Sequence, residues 1–368
     1  MTSVLEHRRE YLHLMRQFTL DNNFFTVTDI QKSAGIPRST AQDWVTRLVH
    51  EGCVFLKDEK RGRSPARYAA ISALPQSTCR RIFTTVDGDI VEIYHDCVSG
   101  ACAAYCGYHH TLAGGVLKTV ERDGTLLRET ARIGEQDISI GLFPLSAVGI
   151  SGVSQEKGFV IQHIRCTGGP AYSVTDMMSR AEGVIRVEPT HEKTVVEAKI
   201  WTKALVHVTI GIDDTDSSDG GATFALALAL LTQVTRIKGV LPISHHVVML
   251  NQQVVEKTAG NSASYIEVAA MQSQVENLIE KTRRFVADES LSPNWGIAIS
   301  TGLTISPGLR KYGKLVREQV ITRSAADTIA GQEGIILFGG KGVIGALGAV
   351  ALARLPDEVL LDPAQKIA

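Results

Sequence analysis

Three aspartates occur within four residues, at the end of a largely apolar run. Asp213, Asp214 and Asp216 follow residues 206–210, which predict a strand, and precede residues 222–231, which predict a buried helix. Carboxylates this close together repel one another unless a cation joins them, and hard divalent cations prefer oxygen ligands. The first turn of the helix also offers free backbone N–H groups to an anion. The pattern therefore predicts a Mg²⁺ and phosphate site; a turn with aspartate caps is the plainer alternative.

Two further segments could bind the phosphates of a nucleotide. Residues 257–261 offer a lysine and a threonine before a turn, and residues 339–342 form a glycine-rich loop before an apolar helix. The loop is not a Walker A motif, because no Ser or Thr follows its lysine. An ordinary turn explains either segment equally well. The predicted nucleotide-binding residues are Thr223, Thr258, Gly260, Asn261, Gly339, Gly340, Lys341 and Gly342, and Lys257 joins the three aspartates as a catalytic candidate.

The N-terminal segment, residues 1–72, predicts a winged helix-turn-helix. Helical spacing runs over residues 3–21, 29–34 and 39–50, with Thr28 as the expected N-cap of the second helix. A short strand, a basic hairpin over residues 57–67 and a returning strand follow. This segment has 11 Lys and Arg against 8 Asp and Glu, a net charge of +3. Such a module binds DNA, or serves as a dimerisation or protein-binding module.

The residues expected to contact DNA lie on the third helix and on the hairpin. The helix presents polar and basic side chains outside its apolar face, and the hairpin concentrates basic side chains where a wing meets phosphate. The candidates are Arg38, Ser39, Thr40, Gln42, Arg47, Lys60, Arg61 and Arg63.

Cysteines and histidines cluster over residues 97–110. Cys97, Cys102 and Cys106 precede two consecutive histidines, and thiolates with imidazoles can ligate zinc or an iron–sulfur cluster. The spacing matches neither the paired CxxC of a zinc site nor a ferredoxin run. Buried cysteines also act as small apolar residues. Both interpretations stay open at this point.

The chain of 368 residues is long enough for two or three domains. We predict a winged helix over residues 1–72, a strand-rich α+β domain over 73–205 and an α/β nucleotide-binding domain over 206–368. Net charge is −1, and no apolar run reaches the roughly 18 residues of a membrane span. The segment 1–16 lacks the apolar core of a secretion signal, and six cysteines do not make a disulfide framework. A cytoplasmic protein without a membrane partner is expected.

The order of three motifs resembles the kinase-like domain of the archaeal tRNA-isoleucine agmatidine synthase family. The motifs are IGIDDTDSSDG at 210–220, KTAGN at 257–261 and GGKGVIGALGAV at 339–350. The resemblance implies ATP and Mg²⁺ as cofactors, used in that family to activate a cytidine in the tRNA anticodon. It also implies that the three aspartates handle metal and phosphates, and that Lys257, Asn261 and the 339–342 loop line the site.

The chain also departs from that family. Where the synthase has Gly-Met-Cys-Thr-Thr-Tyr, residues 220–225 read Gly-Gly-Ala-Thr-Phe-Ala, which leaves one threonine. The synthase's C-terminal nucleic-acid and zinc modules have no counterpart after residue 354. With the segments 170–173 and 181–184, the chain as a whole looks more like the methanogenesis marker protein 11 family.

Two hypotheses for function follow. The first is an archaeal winged-helix DNA-binding protein, a transcription regulator whose C-terminal domain binds ATP and Mg²⁺, acting on its two-fold site as a homodimer. The alternative is an ATP-dependent enzyme that transfers a phosphoryl or nucleotidyl group to RNA or a small molecule, with the winged helix as adaptor. A domain that binds a nucleotide without chemistry is a third possibility.

Overall fold

A computed structural model describes residues 4–62, 64–73, 78–172, 177–192, 194–255, 257, 260–365 and 367. The N-terminal segment consists of three helices and a two-stranded sheet. Phe25, Ile30 and Leu48 are buried in its core. The N-cap of the second helix is Thr26 rather than the predicted Thr28, because the Thr26 hydroxyl accepts from the N–H of Asp29 and the Asp29 carboxylate accepts from the N–H of Thr26. The elements are α1 Val4–Asn22, α2 Val27–Ala34, α3 Arg38–His50, β1 Val54–Asp58 and β2 Arg67–Ala70.

The middle segment is rich in strands, as predicted, but it also contains a helix that the sequence reasoning missed. Residues 100–113 have so many small and apolar residues that their helical period is weak, and Ser99 caps the helix by accepting a bond from the N–H of Cys102. The elements are β3 Cys79–Asp87, β4 Ile90–Cys97, α4 Gly100–Ala113, β5 Leu117–Asp123, β6 Leu126–Arg132, β7 Gly134–Glu135, β8 Val148–Glu156, β9 Phe159–Thr167, α5 Gly169–Tyr172, a 3₁₀ turn Met178–Arg180 and β10 Val184–Glu192.

The C-terminal segment alternates strands and helices. Its elements are β11 Val195–Asp213, α6 Thr223–Val234, β12 Val240–Met249, β13 Ser262–Ala270, a 3₁₀ turn Gln272–Gln274, α7 Val275–Glu289, β14 Gly296–Thr301, α8 Pro307–Glu318, α9 Arg323–Glu333, β15 Ile336–Gly339, α10 Val343–Leu352 and α11 Asp357–Leu361. The helices α6 and α7 cover one face of the strands, and α8, α9 and α10 cover the other.

One strand, β11, joins the middle and C-terminal segments. Its first half pairs with β9, β10 and β3, and its second half pairs with β13 and β14, so that 13 strands form one large curled sheet. The predicted domain boundary at 205/206 falls inside this strand. Thr202 is buried near that boundary and its hydroxyl lies 2.8 Å from the hydroxyl of Thr84 on β3. The chain is therefore a mixed α+β protein with several segments on a shared sheet.

The C-terminal segment corrects one expectation about the fold. Alternating strands and helices predicted an α/β domain, yet β12, β13, β11, β14 and β15 pair antiparallel throughout. The order of elements along the chain does not fix strand direction, which depends on how each connection returns to the sheet. Within the described residues, no helix is both long and apolar enough to cross a membrane.

Candidate nucleotide site

The three aspartates lie at the C-terminal end of β11. Asp213 is the last residue of the strand, and Asp214 has a φ of 55°, a left-handed conformation that turns the chain sharply. The Thr223 hydroxyl, in the first turn of α6, donates to Asp216 Oδ1 at 3.2 Å. Ser292, before β14, donates to Asp214 Oδ1 at 3.3 Å. The acidic loop is thus held between the start of α6 and the segment before β14.

A pocket of about 800 Å³ brings the three predicted motifs together. Its wall includes carboxylates from one motif, an ammonium and an amide from the second, and an ammonium with a glycine from the third. The predicted residues that line it are Asp213, Asp214, Asp216, Thr223, Lys257, Gly260, Asn261, Lys341 and Gly342. Gly339 and Gly340 immediately precede Lys341 in the chain but are not among the lining residues, and Thr258 lies outside the described residues.

Glycines allow the N-terminus of α10 to approach the acidic strand end. A Cβ on Gly345 would overlap the Asp213 carboxylate, and one on Gly342 would stand 2.7 Å from the Asp213 carbonyl oxygen. The N–H of Gly342 donates to the Asn294 carbonyl at 2.7 Å. Glycine at these positions is therefore needed for the helix N-terminus to share one pocket with the carboxylates.

The second motif is braced by its own loop. The Lys257 ammonium donates to the carbonyl of Gln252, and the Asn261 side-chain N–H donates to the Asn251 carbonyl at 2.8 Å. The Gln252 side chain in turn donates to the Asn261 carbonyl at 2.7 Å. These contacts hold Lys257 and Asn261 in the pocket wall.

Sequence reasoning missed Arg323 at the start of α9. Its guanidinium donates to the carbonyls of Gly339 and Gly340, at 3.0 and 2.6 Å, and its Nε lies 2.9 Å from an oxygen of Asp327. Arg323 thereby fixes the glycine loop and adds a positive charge to the pocket wall. The sequence around Arg323 gives no sign of this contact, because α9 and β15 separate Arg323 from the glycine loop along the chain.

The pocket also has an apolar wall that no motif predicted. Apolar side chains beside a few polar groups are typical of pockets that bind small molecules. The members of this wall are Leu250, Val254, Val316, Val320, Ile321 and Ile344.

The electrostatics of Asp213 favour a bound cation. Burial raises the pKa of Asp213 well above its ordinary value, and the neighbouring charges of Asp214 and Asp216 raise it further, against a backbone hydrogen bond that lowers it. A divalent cation would compensate the three carboxylates, and oxygen atoms are the ligands that Mg²⁺ prefers. The pocket wall thus supplies oxygen ligands of the kind that Mg²⁺ prefers, although within the described residues the three carboxylates are not already arranged as a metal site.

The residues predicted to contact DNA lie on α3 and in the loop between β1 and β2. Most of these side chains are exposed. The Arg47 guanidinium, however, lies 3.0 Å from Glu51 and 5.1 Å from the Trp44 ring centroid, so part of its binding capacity is used within the helix. Arg63 lies outside the described residues.

The structure places a fourth cysteine, Cys79, beside the predicted cluster. Cys79 on β3 is the cross-strand partner of Cys97 on β4, and α4 brings Cys102 and Cys106 close to both. Burial raises the pKa of Cys97 and of Cys106 to about 12, which favours neutral thiols. Within the described ranges, no three His, Cys, Asp or Glu side chains are arranged to hold a metal ion.

Comparison with known proteins identifies a domain in this region. Residues 209–280 match the family model of the TiaS TCKD domain. An uncharacterized protein of Methanocaldococcus jannaschii is 25% identical over 281 residues, which cover 75% of this chain and 92% of that protein. The isoleucine-tRNA 2-agmatinylcytidine synthetase TiaS of Pyrobaculum neutrophilum is 31% identical over 150 residues, 39% of this chain and 35% of the synthetase. The chain thus spans about a third of that synthetase.

Two solved structures of TiaS are also similar to part of this chain. The crystal structure of TiaS in complex with its isoleucine tRNA and ATP is 26% identical with a TM-score of 0.37, over 40% of this chain and 36% of that one. The complex of TiaS with the same tRNA, AMPCPP and agmatine is 26% identical with a TM-score of 0.35, over 39% and 36%.

These comparisons correct the hypothesis of a DNA-binding transcription regulator. The relatives described above with a stated activity modify tRNA, so the predictions of a DNA partner and of transcription regulation are wrong, and the alternative of an ATP-dependent enzyme fits better. The prediction failed because exposed cations on a helix and a hairpin attract any polyanion and do not distinguish DNA from RNA. The C-terminal segment of this chain therefore contains a domain similar to the TiaS TCKD domain.

Proposed function

We propose that this protein is an ATP-dependent enzyme that transfers a phosphoryl or nucleotidyl group to RNA. The observation that carries the proposal is the convergence of three separate motifs on one pocket, whose wall contains both carboxylates and basic side chains. The relatives with a stated activity that match this chain are synthetases for an isoleucine tRNA, which favours RNA over a small molecule as the acceptor.

The roles of the residues follow from their positions in the pocket. Asp213, Asp214 and Asp216 would hold Mg²⁺, and Lys341 with the N-terminus of α10 would bind phosphate oxygens. Mg²⁺ bound with the nucleotide would neutralise the negative charge that develops during the transfer. The remaining candidates in the pocket wall would position the nucleotide: Thr223, Lys257, Gly260, Asn261 and Gly342. Thr258, Gly339 and Gly340 stay candidates for the same role on the sequence alone.

The N-terminal segment would serve as the adaptor for RNA. We infer a winged-helix fold for residues 1–72, supported by three helices followed by a two-stranded antiparallel sheet. Residues 73–205 and 206–368 would be the middle and catalytic domains, although they share β11. The wider likeness to the methanogenesis marker protein 11 family stays a prediction, as does a cytoplasmic location.

Calorimetric titration with ATP and Mg²⁺ tests the nucleotide site. Asp214→Asn removes a pocket carboxylate and should abolish Mg²⁺-dependent binding, whereas Asp219→Asn, an exposed aspartate of the same loop outside the pocket wall, should leave it unchanged. Wild-type protein that binds no ATP with or without Mg²⁺ would overturn the proposal.

Transfer itself is tested with ATP labelled at either the α or the γ phosphate and with archaeal tRNA as acceptor. Label from the γ position in RNA indicates phosphoryl transfer, and label from the α position indicates nucleotidyl transfer. Both signals should be lost in Asp214→Asn and retained in Asp219→Asn. Tight binding without labelled RNA would leave a nucleotide-binding domain without chemistry and contradict the enzyme.

A further inference from the structure

A large uncharged surface lies on the middle segment, in addition to the nucleotide pocket. It consists of the outer face of α4 and the loop formed by residues 138–148. Neither α4 nor this loop contains Asp, Glu, Lys or Arg, although the chain as a whole has 38 Lys and Arg and 39 Asp and Glu. We call this surface the α4 patch. Two adjoining uncharged segments on a protein exterior mark a contact surface.

The outer face of α4 is exposed although its residues are aromatic and aliphatic. Tyr105, Tyr108 and Leu112 stand at helical spacing on one side, while Ala103 and His110 on the opposite side are buried against the sheet. Tyr108 is 59% exposed. The helix is thus apolar on both sides, although only one side packs within this chain.

The loop adds the most exposed side chains of the α4 patch. Phe143 is 89% exposed, Leu142 81% and Leu145 47%. The loop is tied to the helix, because the Ser146 hydroxyl donates to the His109 carbonyl at 2.8 Å and the N–H of Ala147 donates to His109 Nδ1 at 3.2 Å.

His109 also packs against Tyr105, with ring centroids 4.3 Å apart. Helix and loop therefore present one continuous surface, which the described contacts hold in place.

The size of the α4 patch agrees with an interface between two copies. Large apolar side chains have roughly 150–250 Å² of surface each. The exposed fractions of the six side chains named above therefore add up to about 700 Å² of accessible surface on one chain. Two copies would bury about 1,400 Å², within the range of roughly 1,200–2,000 Å² for specific interfaces.

The absence of charged side chains in the α4 patch indicates what kind of partner it binds. In a two-fold interface each patch meets its own copy, so any charge on it would face the same charge. The α4 patch has none, and its tyrosines and phenylalanine are typical of the centre of such interfaces. RNA is an unsuitable occupant because the patch offers no cation to phosphate. We propose that the α4 patch is the surface through which two copies of this chain form a dimer. This proposal is independent of the nucleotide site.

Sedimentation equilibrium of the full chain tests the dimer. Wild-type protein should be dimeric at micromolar concentration, and Phe143→Glu should raise the dissociation constant at least about tenfold, because it buries a charge opposite its own copy. Leu20→Glu, at an apolar residue on α1 that is 64% exposed, is the matched control and should remain dimeric. The proposal is overturned by a monomeric wild type, by a dimer that survives Phe143→Glu, or by equal loss in the control.

Disulfide cross-linking locates the two-fold axis. Leu142→Cys should give a cross-linked dimer on a non-reducing gel after mild oxidation, because each new thiol would meet its own copy. Leu361→Cys, exposed on α11, and the wild type with its six free cysteines should give none above background. Absence of a cross-link at 142, with one at 361, would place the interface elsewhere and overturn the proposal.

Discussion

Two carboxylates on neighbouring strands of the sheet have opposite properties. Glu267 on β13 is fully buried, and its oxygens lie 2.6 Å from Arg128 Nη2 and 3.1 Å from His207 Nε2. Burial would raise the pKa of Glu267, but Arg128 and His207 hold it well below the usual range. Asp213 on β11, in contrast, has its pKa raised by burial and by two neighbouring carboxylates.

The contrast separates a structural charge from a functional one. The cost of burying Glu267 is offset by Arg128, which comes from β6 of the middle segment, so the pair joins two parts of the sheet. The cost at Asp213 is not offset in the same way by a basic side chain among the described residues, and Asp213 stands in a pocket. A carboxylate kept in an unfavourable environment is characteristic of a site that binds a ligand.

Removing the structural charge should have the largest effect on stability. Glu267→Gln leaves Arg128 buried without its counter-charge, so we expect the free energy of unfolding to fall by about 3–5 kcal/mol. Denaturant unfolding measures the change. Glu280→Gln, which disrupts an exposed ion pair on α7, should leave the midpoint unchanged. Equal midpoints for the two variants would contradict the structural role of Glu267.

A second buried cluster predicts a loss of stability in acid. Burial lowers the pKa of His95 from 6.5 to about 4, against the nearby charge of Glu129, which raises it. Burial would raise the pKa of Glu129, but His110 and His95 hold it below its usual value. As the pH falls, His95 is protonated in the unfolded chain before it is protonated in the folded protein. The free energy of unfolding should therefore be highest above pH 6.5 and fall as the pH approaches 4, by up to about 3 kcal/mol for His95.

Unfolding at a series of pH values tests this expectation. His95→Asn should flatten the dependence between pH 6.5 and 4, and His13→Asn, an exposed histidine on α1, should keep the wild-type curve. A wild-type stability that does not change over this interval would show that His95 is not buried in its neutral form.

The close approach of α10 to Asp213 can be tested with a methyl group. Gly345→Ala places a Cβ against the Asp213 carboxylate and should cost about 1–3 kcal/mol of stability as well as nucleotide affinity. Gly331→Ala is the matched control, since it lies in α9 with open space around it and should be neutral or stabilising by up to about 1 kcal/mol. Thermal unfolding and ATP titration distinguish them. Equal behaviour would mean that α10 does not contact the carboxylate.

The smallest expected change in stability is that of Asp213→Asn, which also tests the contrast between Asp213 and Glu267 most directly. Asp213→Asn removes a charge that the fold holds at a cost, so the midpoint of thermal unfolding of the free protein should rise. Affinity for ATP with Mg²⁺ should fall at least about tenfold, or about 1.4 kcal/mol. Glu267→Gln should show the reverse pattern, with lower stability and unchanged affinity of the folded protein. A destabilised Asp213→Asn with normal binding would make Asp213 structural as well.

The sequence was most informative where physical rules act over a few residues. The strand before Asp213, the helix after residue 222 and the three N-terminal helices follow from local periodicity, and the structure shows them. It was least informative over residues 100–113, where small apolar residues obscure the helical period. It also placed a domain boundary at 205/206, inside β11, because local patterns do not reveal that one strand continues from one segment into the next.

The chemistry of the candidate site was readable from residue types, but its assembly was not. Clustered carboxylates and glycine-rich loops predict metal and phosphate binding because their charge and backbone geometry are local properties. The contact of Arg323 with the glycine loop, the space that Gly345 leaves for Asp213 and the pairing of Arg128 with Glu267 depend on segments far apart in the chain. Only the tertiary structure decides these, because burial and neighbouring charge determine whether a carboxylate supports the fold or is left free to bind a cation.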